Sequence, residues 1–321
     1  MSSIELRPVR PDQLEELCAL TNRAERHEGL PRVLTVDELE ESLAAPFLDL
    51  DVDARAAYCG DRLAGWVWIW NPPSERSLER AYVCGDVDPE ARGRGAGWAL
   101  MGWGVARAEE RLRSRDHDLP RYIRVEAFDW MEANHRLYGH FGFTPVRWFE
   151  ELVRPLVDLP AVQGADGVVL CPWPADQDEV LRAVRNAAFA DHWGSAPVDQ
   201  ASWHSLVRGH GARADLSVVA VEEATGEVVG LCLNQAYPED DELTGRHEAW
   251  IENLATAGRW RGRGVASSMI AWSMWAFAEA GFSHAMIAVD TDNLTGAARL
   301  YRSLGFERER RSITHQIEIA V

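Results

Sequence analysis

Residues 258–267 read GRWRGRGVAS, so arginine and glycine alternate in a chain whose formal net charge is −18. Residues 90–99, EARGRGAGWA, repeat the pattern. Each stretch follows a strand pattern and precedes a helix pattern, so we expect a turn at both places. Glycine allows a sharp turn and a close ligand approach, and the first N–H groups of the next helix lack intrahelical partners. The pattern therefore predicts an anion site that suits a diphosphate, with arginines as additional donors.

The two stretches belong to an internal repeat, which is the strongest sign of domain organisation. Strand and helix patterns recur in the same order in both halves, and LYGHFGF at 137–143 matches LYRSLGF at 300–306. A segment rich in turn formers, DLPAVQGADG at 158–167, lies between the halves. We therefore expect two mixed α/β domains, at residues 1–160 and 166–321.

The composition excludes several classes of protein. With 51 acidic against 33 basic residues, general binding to nucleic acid or to anionic membrane surfaces is disfavoured. No apolar run approaches the ~20 residues of a membrane span, and the N-terminus lacks a secretory signal. Five widely spaced cysteines fit free thiols in a reducing compartment. The sequence predicts a soluble cytoplasmic monomer or homodimer, and it shows no His/Cys cluster that would predict a metal site.

Two other glycine-rich phosphate sites fit the spacing poorly. The glycines of a dinucleotide-binding Rossmann unit follow the first strand, whereas these follow roughly the fourth strand of each half. A Walker loop requires Gly-Lys followed by Ser or Thr, which neither stretch contains.

The pattern [RQ]-x-x-G-x-[GA] after a strand resembles the acyl-CoA pyrophosphate loop of the GNAT acetyltransferase superfamily. NLATAGRWRGRGVA and VDTDNLTGAARLYRSLGF, at 253–266 and 289–306, resemble that family's strand, loop and crossover segments. The resemblance implies two tandem GNAT-type domains, each a mixed, mostly antiparallel sheet that is splayed between strands 4 and 5 and flanked by helices. It also implies acetyl-CoA as co-substrate. The tandem arrangement further resembles the mycothiol synthase family, in which the C-terminal unit is catalytic.

By the same resemblance, acyl-CoA contacts fall on two sets of residues. In the second half the backbone of the Leu254, Ala255 and Thr256 segment would pair with pantetheine. The full set is Leu254, Ala255, Thr256, Arg261, Gly262, Arg263, Gly264, Val265, Ala266 and Asn293 in the second half, with Val87, Arg92, Gly93, Arg94, Gly95, Ala96 and Gly97 in the first.

The resemblance also suggests catalytic residues in the second half. Strand alternation puts Glu252 on the same face as Trp250 and Leu254, which would meet the acceptor amine. Glu252 is then the candidate general base, directly or through water, and Tyr301 is the candidate acid for the departing thiolate. Glu248 is an alternative base. A salt-bridged strand carboxylate and a packed helix tyrosine are the structural alternatives for Glu252 and Tyr301.

The first half departs from this pattern. Alignment of the two Arg/Gly stretches puts Val83 opposite Glu252. Trp130 stands where Asn293 does in the second half, although Tyr138 matches Tyr301. The first half therefore resembles an acyl-CoA-binding unit that has no evident base.

The function expected from these residues is acetyl-CoA-dependent N-acetylation of a primary amine on a small molecule, by direct attack. One alternative is mycothiol-synthase-like acetylation of a cysteinyl pseudodisaccharide. A non-catalytic acyl-CoA sensor and a protein N-terminal acetylase are two others.

Overall fold

A computed structural model describes residues 4–73, 78–190, 192–292 and 297–320. The chain divides into two compact units. The N-terminal unit takes the chain up to residue 147 together with the segment from residue 312, and the C-terminal unit takes residues 148–311. Among the described residues, no helix is long and apolar enough to cross a membrane.

Both halves of the chain follow the predicted order of elements. The first half forms β1 (Ile4–Pro8), α1 (Leu14–His27), α2 (Val36–Leu43), α3 (Leu50–Asp53), β2 (Ala54–Cys59), β3 (Arg62–Trp70), β4 (Glu79–Val87), α4 (Ala96–Arg113), β5 (Arg121–Phe128), α5 (Glu132–His140) and β6 (Thr144–Pro155). The second half forms β7 (Val168–Pro172), α6 (Asp178–Ala188), α7 (Gln200–Arg208), β8 (Val218–Glu222), β9 (Val228–Ala236), α8 (Asp241–Thr244), β10 (Glu248–Thr256), α9 (Val265–Glu279), β11 (His284–Asp290), α10 (Ala297–Ser303) and β12 (Glu307–Ile319).

Each unit is a mixed sheet with helices on both faces. The strand order is β1-β2-β3-β4-β5-β12 in the N-terminal unit and β7-β8-β9-β10-β11-β6 in the C-terminal unit. Among the strand pairs of the described residues within these two units, only β4/β5 and β10/β11 are parallel. In the N-terminal unit α4 packs on one sheet face and α1 and α2 on the other. In the C-terminal unit α9 packs on one sheet face, as α4 does in the N-terminal unit, and α6 and α7 pack on the other face. The predicted tandem α/β fold is confirmed.

The last strand of each half completes the sheet of the other unit. Strand β12 pairs with β5 from Ser312–Phe128 to Ile319–Arg121, and β6 pairs with β11 over residues 149–155. The compact units therefore differ from the predicted ranges 1–160 and 166–321. Alternating polarity shows that a segment is a strand, but it does not show which neighbour the strand joins.

The parallel strands of each unit separate halfway along. Pairing of β4 with β5 extends from Glu79 to Tyr82, and pairing of β10 with β11 extends from Glu248 to Ile251. Beyond these residues each sheet opens into a cleft at the splay that the resemblance implied. The Arg/Gly turn lies at the far end of the same strand.

Candidate active site

The second Arg/Gly turn has a backbone that glycine alone adopts readily. Gly262 and Gly264 have φ angles of 73° and 87°, and Gly93 and Gly95 repeat them at 73° and 93°. A Cβ atom at any of the four would meet no heavy atom within 4 Å, so conformation rather than crowding requires glycine. The first backbone bond of α9 is from Ser268 N to the Gly264 carbonyl, so the N–H groups before Ser268 remain outside the helical ladder. This is the geometry of an anion site.

The arginine that opens this turn is held by backbone carbonyls. Arg261 Nη2 donates to the Ala188 carbonyl at the end of α6 at 2.7 Å, and its Nε donates to the Thr256 carbonyl at 3.4 Å. The guanidinium of Arg263 lies 4.9 Å from the ring centroid of Trp260. Arg261 thus ties the turn to α6 and to the end of β10, in addition to carrying charge beside it.

In the first turn the matching arginine is ion-paired. Arg92 Nη1 contacts the Glu28 carboxylate that follows α1. The Val87 side chain lies beside Gly97, 3.6 Å from where a Cβ atom would stand. Arg94 is exposed.

A one-residue bulge interrupts β10 at the start of the cleft. Ile251 pairs with Asn234 and Asn253 pairs with Leu233, so Glu252 has no residue opposite it on β9. A bulge redirects the side chain of its extra residue. Ile251 and Asn253 are buried whereas Glu252 is exposed, which agrees with a carboxylate directed into the opening between β10 and β11.

The N-terminal unit has no such bulge. Strands β3 and β4 pair without a break from Gly65–Val87 to Trp70–Tyr82. When the cross-strand residue pairs are counted from the last pair of each hairpin, Val83 falls at the same place as Ile251. Glu252 therefore has no counterpart in the N-terminal unit, and the gapless alignment that put Val83 opposite it is corrected by one residue.

Glu252 has the electrostatic environment of a base. No hydrogen bond or ion pair to its carboxylate is found among the described residues. Although its side chain reaches solvent, protein surrounds it on the concave surface, and this desolvation raises the pKa of Glu252. A carboxylate with a raised pKa holds an accepted proton more readily than an ordinary one.

The alternative base, Glu248, is part of an ion-pair network. Its Oε1 lies 2.5 Å from Arg246 Nη2, and the same nitrogen lies 2.7 Å from Glu309 Oε1. Glu248 is 6% exposed and lies in the segment of β10 that still pairs with β11. Burial raises its pKa and the Arg246 charge opposes that shift. This geometry favours a structural role for Glu248 and leaves Glu252 as the better placed base.

The two matched tyrosines differ in the state of their hydroxyl groups. Tyr138 donates to the Glu126 carbonyl at 3.0 Å, whereas no hydrogen bond of the Tyr301 hydroxyl is found in the described parts of the chain. Tyr301 packs in one cluster with Cys232 and Leu254, beside the segment expected to pair with pantetheine. Burial raises its pKa, so the hydroxyl keeps its proton near neutral pH.

The remaining expected contacts follow β10 beyond the splay. Leu254, Ala255 and Thr256 pair with β9 and have no partner on β11 among the described residues. Their strand edge is thus open for an extended ligand. Val265 and Ala266 form the first turn of α9, and Ala96 and Gly97 that of α4. Asn293 lies outside the described residues.

Sequence reasoning missed the residues that shape the β10 bulge. Asn253 is buried, with 7% of its surface exposed. Its Oδ1 accepts a hydrogen bond from Arg185 Nε of α6 at 3.3 Å. The Arg185 guanidinium also stacks on the Phe189 ring, 4.4 Å from its centroid. A polar Asn in an otherwise apolar strand segment was the available signal.

Comparison with known proteins gives one family. The sequence profile of the acetyltransferase (GNAT) family matches residues 15–143 and again 179–306. Mycothiol acetyltransferase of Mycobacterium sp. (strain JLS) is 26% identical over 321 residues, covering 96% of each chain. The protein of that name from Thermobispora bispora is 29% identical over 316 residues, covering 95% of this chain and 96% of its own.

Solved structures show the same fold at low identity. A GCN5-related N-acetyltransferase from Sphaerobacter thermophilus has a TM-score of 0.77 at 23% identity, covering 99% of this chain and 96% of its own. A tandem GNAT protein from the clavulanic acid biosynthesis pathway has a TM-score of 0.70 at 19% identity, covering 99% of both chains.

Proposed function

Since the chain belongs to the acetyltransferase (GNAT) family and is an acyltransferase, we propose that it acetylates a primary amine of a small molecule with acetyl-CoA as donor. We assign the chemistry to the C-terminal unit. The observation that carries this assignment is the bulge that directs Glu252, a carboxylate without a partner in the described chain, into the β10/β11 cleft. The N-terminal unit lacks that residue.

The parts of the C-terminal unit suit one ternary complex. N–H groups at the start of α9 hold the diphosphate of the donor. The open edge of Leu254–Thr256 pairs with the pantetheine arm. Main-chain N–H groups at the same edge are the donors available to the oxyanion that develops on the carbonyl.

In the transfer step, Glu252 takes a proton from the substrate ammonium, directly or through water. The neutral nitrogen then attacks the thioester carbonyl, a C–N bond forms, the nitrogen loses a second proton to water, and the C–S bond breaks to leave the amide. Tyr301 gives its proton to the departing thiolate and regains one from solvent. The raised pKa of Glu252 and the protonated state of Tyr301 fit these roles.

The N-terminal unit is proposed to bind acyl-CoA without transferring the acyl group. Its turn has the same backbone as the second one. Its Tyr138 hydroxyl is bonded to a strand carbonyl, and no bulged carboxylate faces its cleft.

A second candidate names the acceptor. Relatives that match 96% of this chain are called mycothiol acetyltransferase, and this similarity favours a cysteinyl pseudodisaccharide as the amine. At 26% to 29% identity the acceptor pocket is free to differ, because pocket residues vary within one fold.

The proposal is tested by a screen of amines with acetyl-CoA, in which the release of free thiol is measured. The expected result is turnover with at least one class of primary amine and loss of that turnover in Glu252→Gln. Binding of acetyl-CoA without thiol release from any amine, the cysteinyl pseudodisaccharide included, would refute it and favour an acyl-CoA sensor.

A further inference from the structure

We propose that the N-terminal unit carries a second amine site, in which a small organic ammonium ion binds between the tryptophans of β3 and the carboxylate of Asp86. The site lies on the sheet face that α1 covers. It is independent of the acetyl transfer assigned to the C-terminal unit, and its test does not require turnover.

Three tryptophans form a continuous row on this face of β3. The rings of Trp66 and Trp68 are stacked, with centroids 6.2 Å apart and planes 8° apart. Trp70 meets Trp68 edge-on at 5.5 Å and 81°. Trp66 is buried, with 2% of its surface exposed, whereas Trp68 and Trp70 are partly exposed. The face of an indole ring attracts cations more strongly than other aromatic rings do.

Strand β4 places a carboxylate beside this row. Asp86 pairs with Trp66, and the next residue on the same face, Cys84, pairs with Trp68. Asp86 Oδ2 accepts from Thr21 Oγ1 at 3.0 Å, and Thr21 Oγ1 accepts from Trp66 Nε1 at 3.0 Å. These bonds fix the orientation of the carboxylate. In the described chain no partner is found for its Oδ1, which remains available to a ligand.

The charges around Asp86 favour an incoming cation. Burial is the main cause that raises the pKa of Asp86 to about 6, while Arg32 and Arg92 lower it and Glu28 raises it. The two guanidinium charges therefore do not compensate the loss of hydration. An ammonium ion next to Oδ1 would compensate the Asp86 carboxylate for its lost hydration, because opposite charges attract strongly where water is excluded.

Strand β5 contributes groups of both signs to the same cleft. Glu126 is exposed, and its Oε1 accepts from Thr314 Oγ1 at 2.9 Å. Glu126 and Asp86 both act on Cys84, whose pKa rises to about 12, mainly through burial. The pKa of Tyr138 is raised by burial first, with contributions from the same groups.

Arg124 is a further cation on this face, and two of its hydrogen bonds go to neutral groups. It is buried, with 1% of its surface exposed. Its Nη1 donates to the Tyr82 hydroxyl at 3.4 Å and its Nε donates to Gln316 Oε1 at 3.3 Å. With Arg32, Arg92 and Glu28 counted, the charged groups named around the cleft are three of each sign, so the preference for a cation rests on the desolvated Asp86 carboxylate and the tryptophan row rather than on net charge.

The fold does not require these residues. Counted from the matching hairpin pair of the C-terminal unit, Trp66, Trp68 and Trp70 are replaced by Leu231, Leu233 and Gln235, and Asp86 is replaced by Ala255. At Leu231, Leu233 and Ala255 the C-terminal unit packs its helices on apolar side chains. The aromatic row and the carboxylate are thus a specific property of the N-terminal unit, as expected for a binding site.

The test is a ligand-observed NMR titration of the full chain with butylammonium, and with butanol and butyrate as probes of similar size. Butylammonium is expected to bind in preference to both. In Asp86→Asn, which keeps an acceptor for Thr21, its affinity is expected to fall at least about tenfold, the scale of one charge-assisted contact. Trp68→Leu should weaken binding and Trp68→Phe should retain most of it. Asp61→Asn, an exposed carboxylate of the same unit, is the control.

The pH dependence separates this site from other amine contacts. Wild-type affinity for butylammonium should fall as the pH drops from 7 to 5, because Asp86 gains a proton near its pKa of about 6. Asp86→Asn should lose this pH-dependent part of butylammonium binding, and Glu252→Gln should retain it. Equal binding of butanol, or unchanged binding in Asp86→Asn and Trp68→Leu with an intact circular dichroism spectrum, would overturn the proposal.

Discussion

Replacement of Glu252 by Gln is the sharpest test of the C-terminal active site. The two side chains have the same length, and no hydrogen bond to the Glu252 carboxylate is found in the described chain, so the change removes a proton acceptor and little else. A positioned general base contributes about 10²- to 10⁴-fold in rate. The expected loss in turnover corresponds to a barrier raised by about 2.7 to 5.5 kcal/mol. Acetyl-CoA affinity should stay close to that of the wild type, because the Arg/Gly turn is unchanged.

The assay is thiol release at saturating acetyl-CoA across pH 5 to 10. Glu252 must be ionised to accept a proton, and desolvation by the surrounding protein raises its pKa. The wild-type rate should therefore fall on the acid side at a pH above the usual range of glutamate, and the Gln variant should lack that limb. At high pH the free amine needs no base, so the two rates should converge.

Stability gives an independent check on the same carboxylate. A carboxyl group whose pKa is higher in the folded than in the unfolded chain stabilises the fold below the unfolded pKa and loses that contribution as the pH rises. Glu252→Gln should thus be more resistant to urea than the wild type at pH 7, and the difference should vanish near pH 4.

Glu248→Gln is the matched control on the same strand. It removes one partner of Arg246, which keeps Glu309. Because burial raises the pKa of Glu248 against the Arg246 charge, the ionised carboxylate adds little stability at pH 7, and we expect a small change in the free energy of unfolding with turnover largely retained. An active Glu252→Gln together with an inactive but stable Glu248→Gln would refute the assignment of the base.

Four further variants test other parts of the structure. Tyr301→Phe should slow turnover by about tenfold or more, through loss of the acid, while Tyr138→Phe should not; the opposite ranking in thiol release would move the chemistry to the N-terminal unit. Gly264→Ala should cost about 1 to 2 kcal/mol, because an alanine at φ 87° is strained; calorimetry should show weaker acetyl-CoA binding, and unchanged affinity would exclude the turn as the phosphate site. His315→Asn should flatten the acid side of the stability curve in urea unfolding between pH 5 and 8. Burial and then His135 lower the pKa of His315, so its contribution is full above the unfolded value of about 6.5 and falls at lower pH; a curve unchanged from the wild type would contradict this.

Local features of the chain could be predicted because their causes are local. The φ angles of Gly262 and Gly264 follow from the need for a turn between a strand and a helix. Thr35 caps α2 by accepting from the Glu38 N–H at 3.1 Å, and a Thr followed by Glu three residues later is a local sequence pattern typical of such a cap. The two profile matches confirm the repeat that the matching motifs predicted.

Features that depend on pairing between distant residues could not be predicted. A bulge at Glu252 exists only relative to β9, and a sequence pattern records one strand at a time. The same holds for β12, whose alternating residues fit any sheet edge. Asp86 was overlooked because its importance comes from Trp66 across the strand and from Thr21 on α1.

The exchange of final strands has a consequence for synthesis on the ribosome. The N-terminal unit needs residues from Ser312 onward to cover the edge of β5, and Ser312 is made 165 residues after Arg147 (312 − 147). At roughly 5 to 20 residues per second, that edge waits on the order of ten to thirty seconds after residue 147 has been added. Over that time its unpaired N–H and C=O groups are open to other strands. A nascent chain that stalls before residue 312 should therefore be more prone to aggregate than a chain of two self-contained domains.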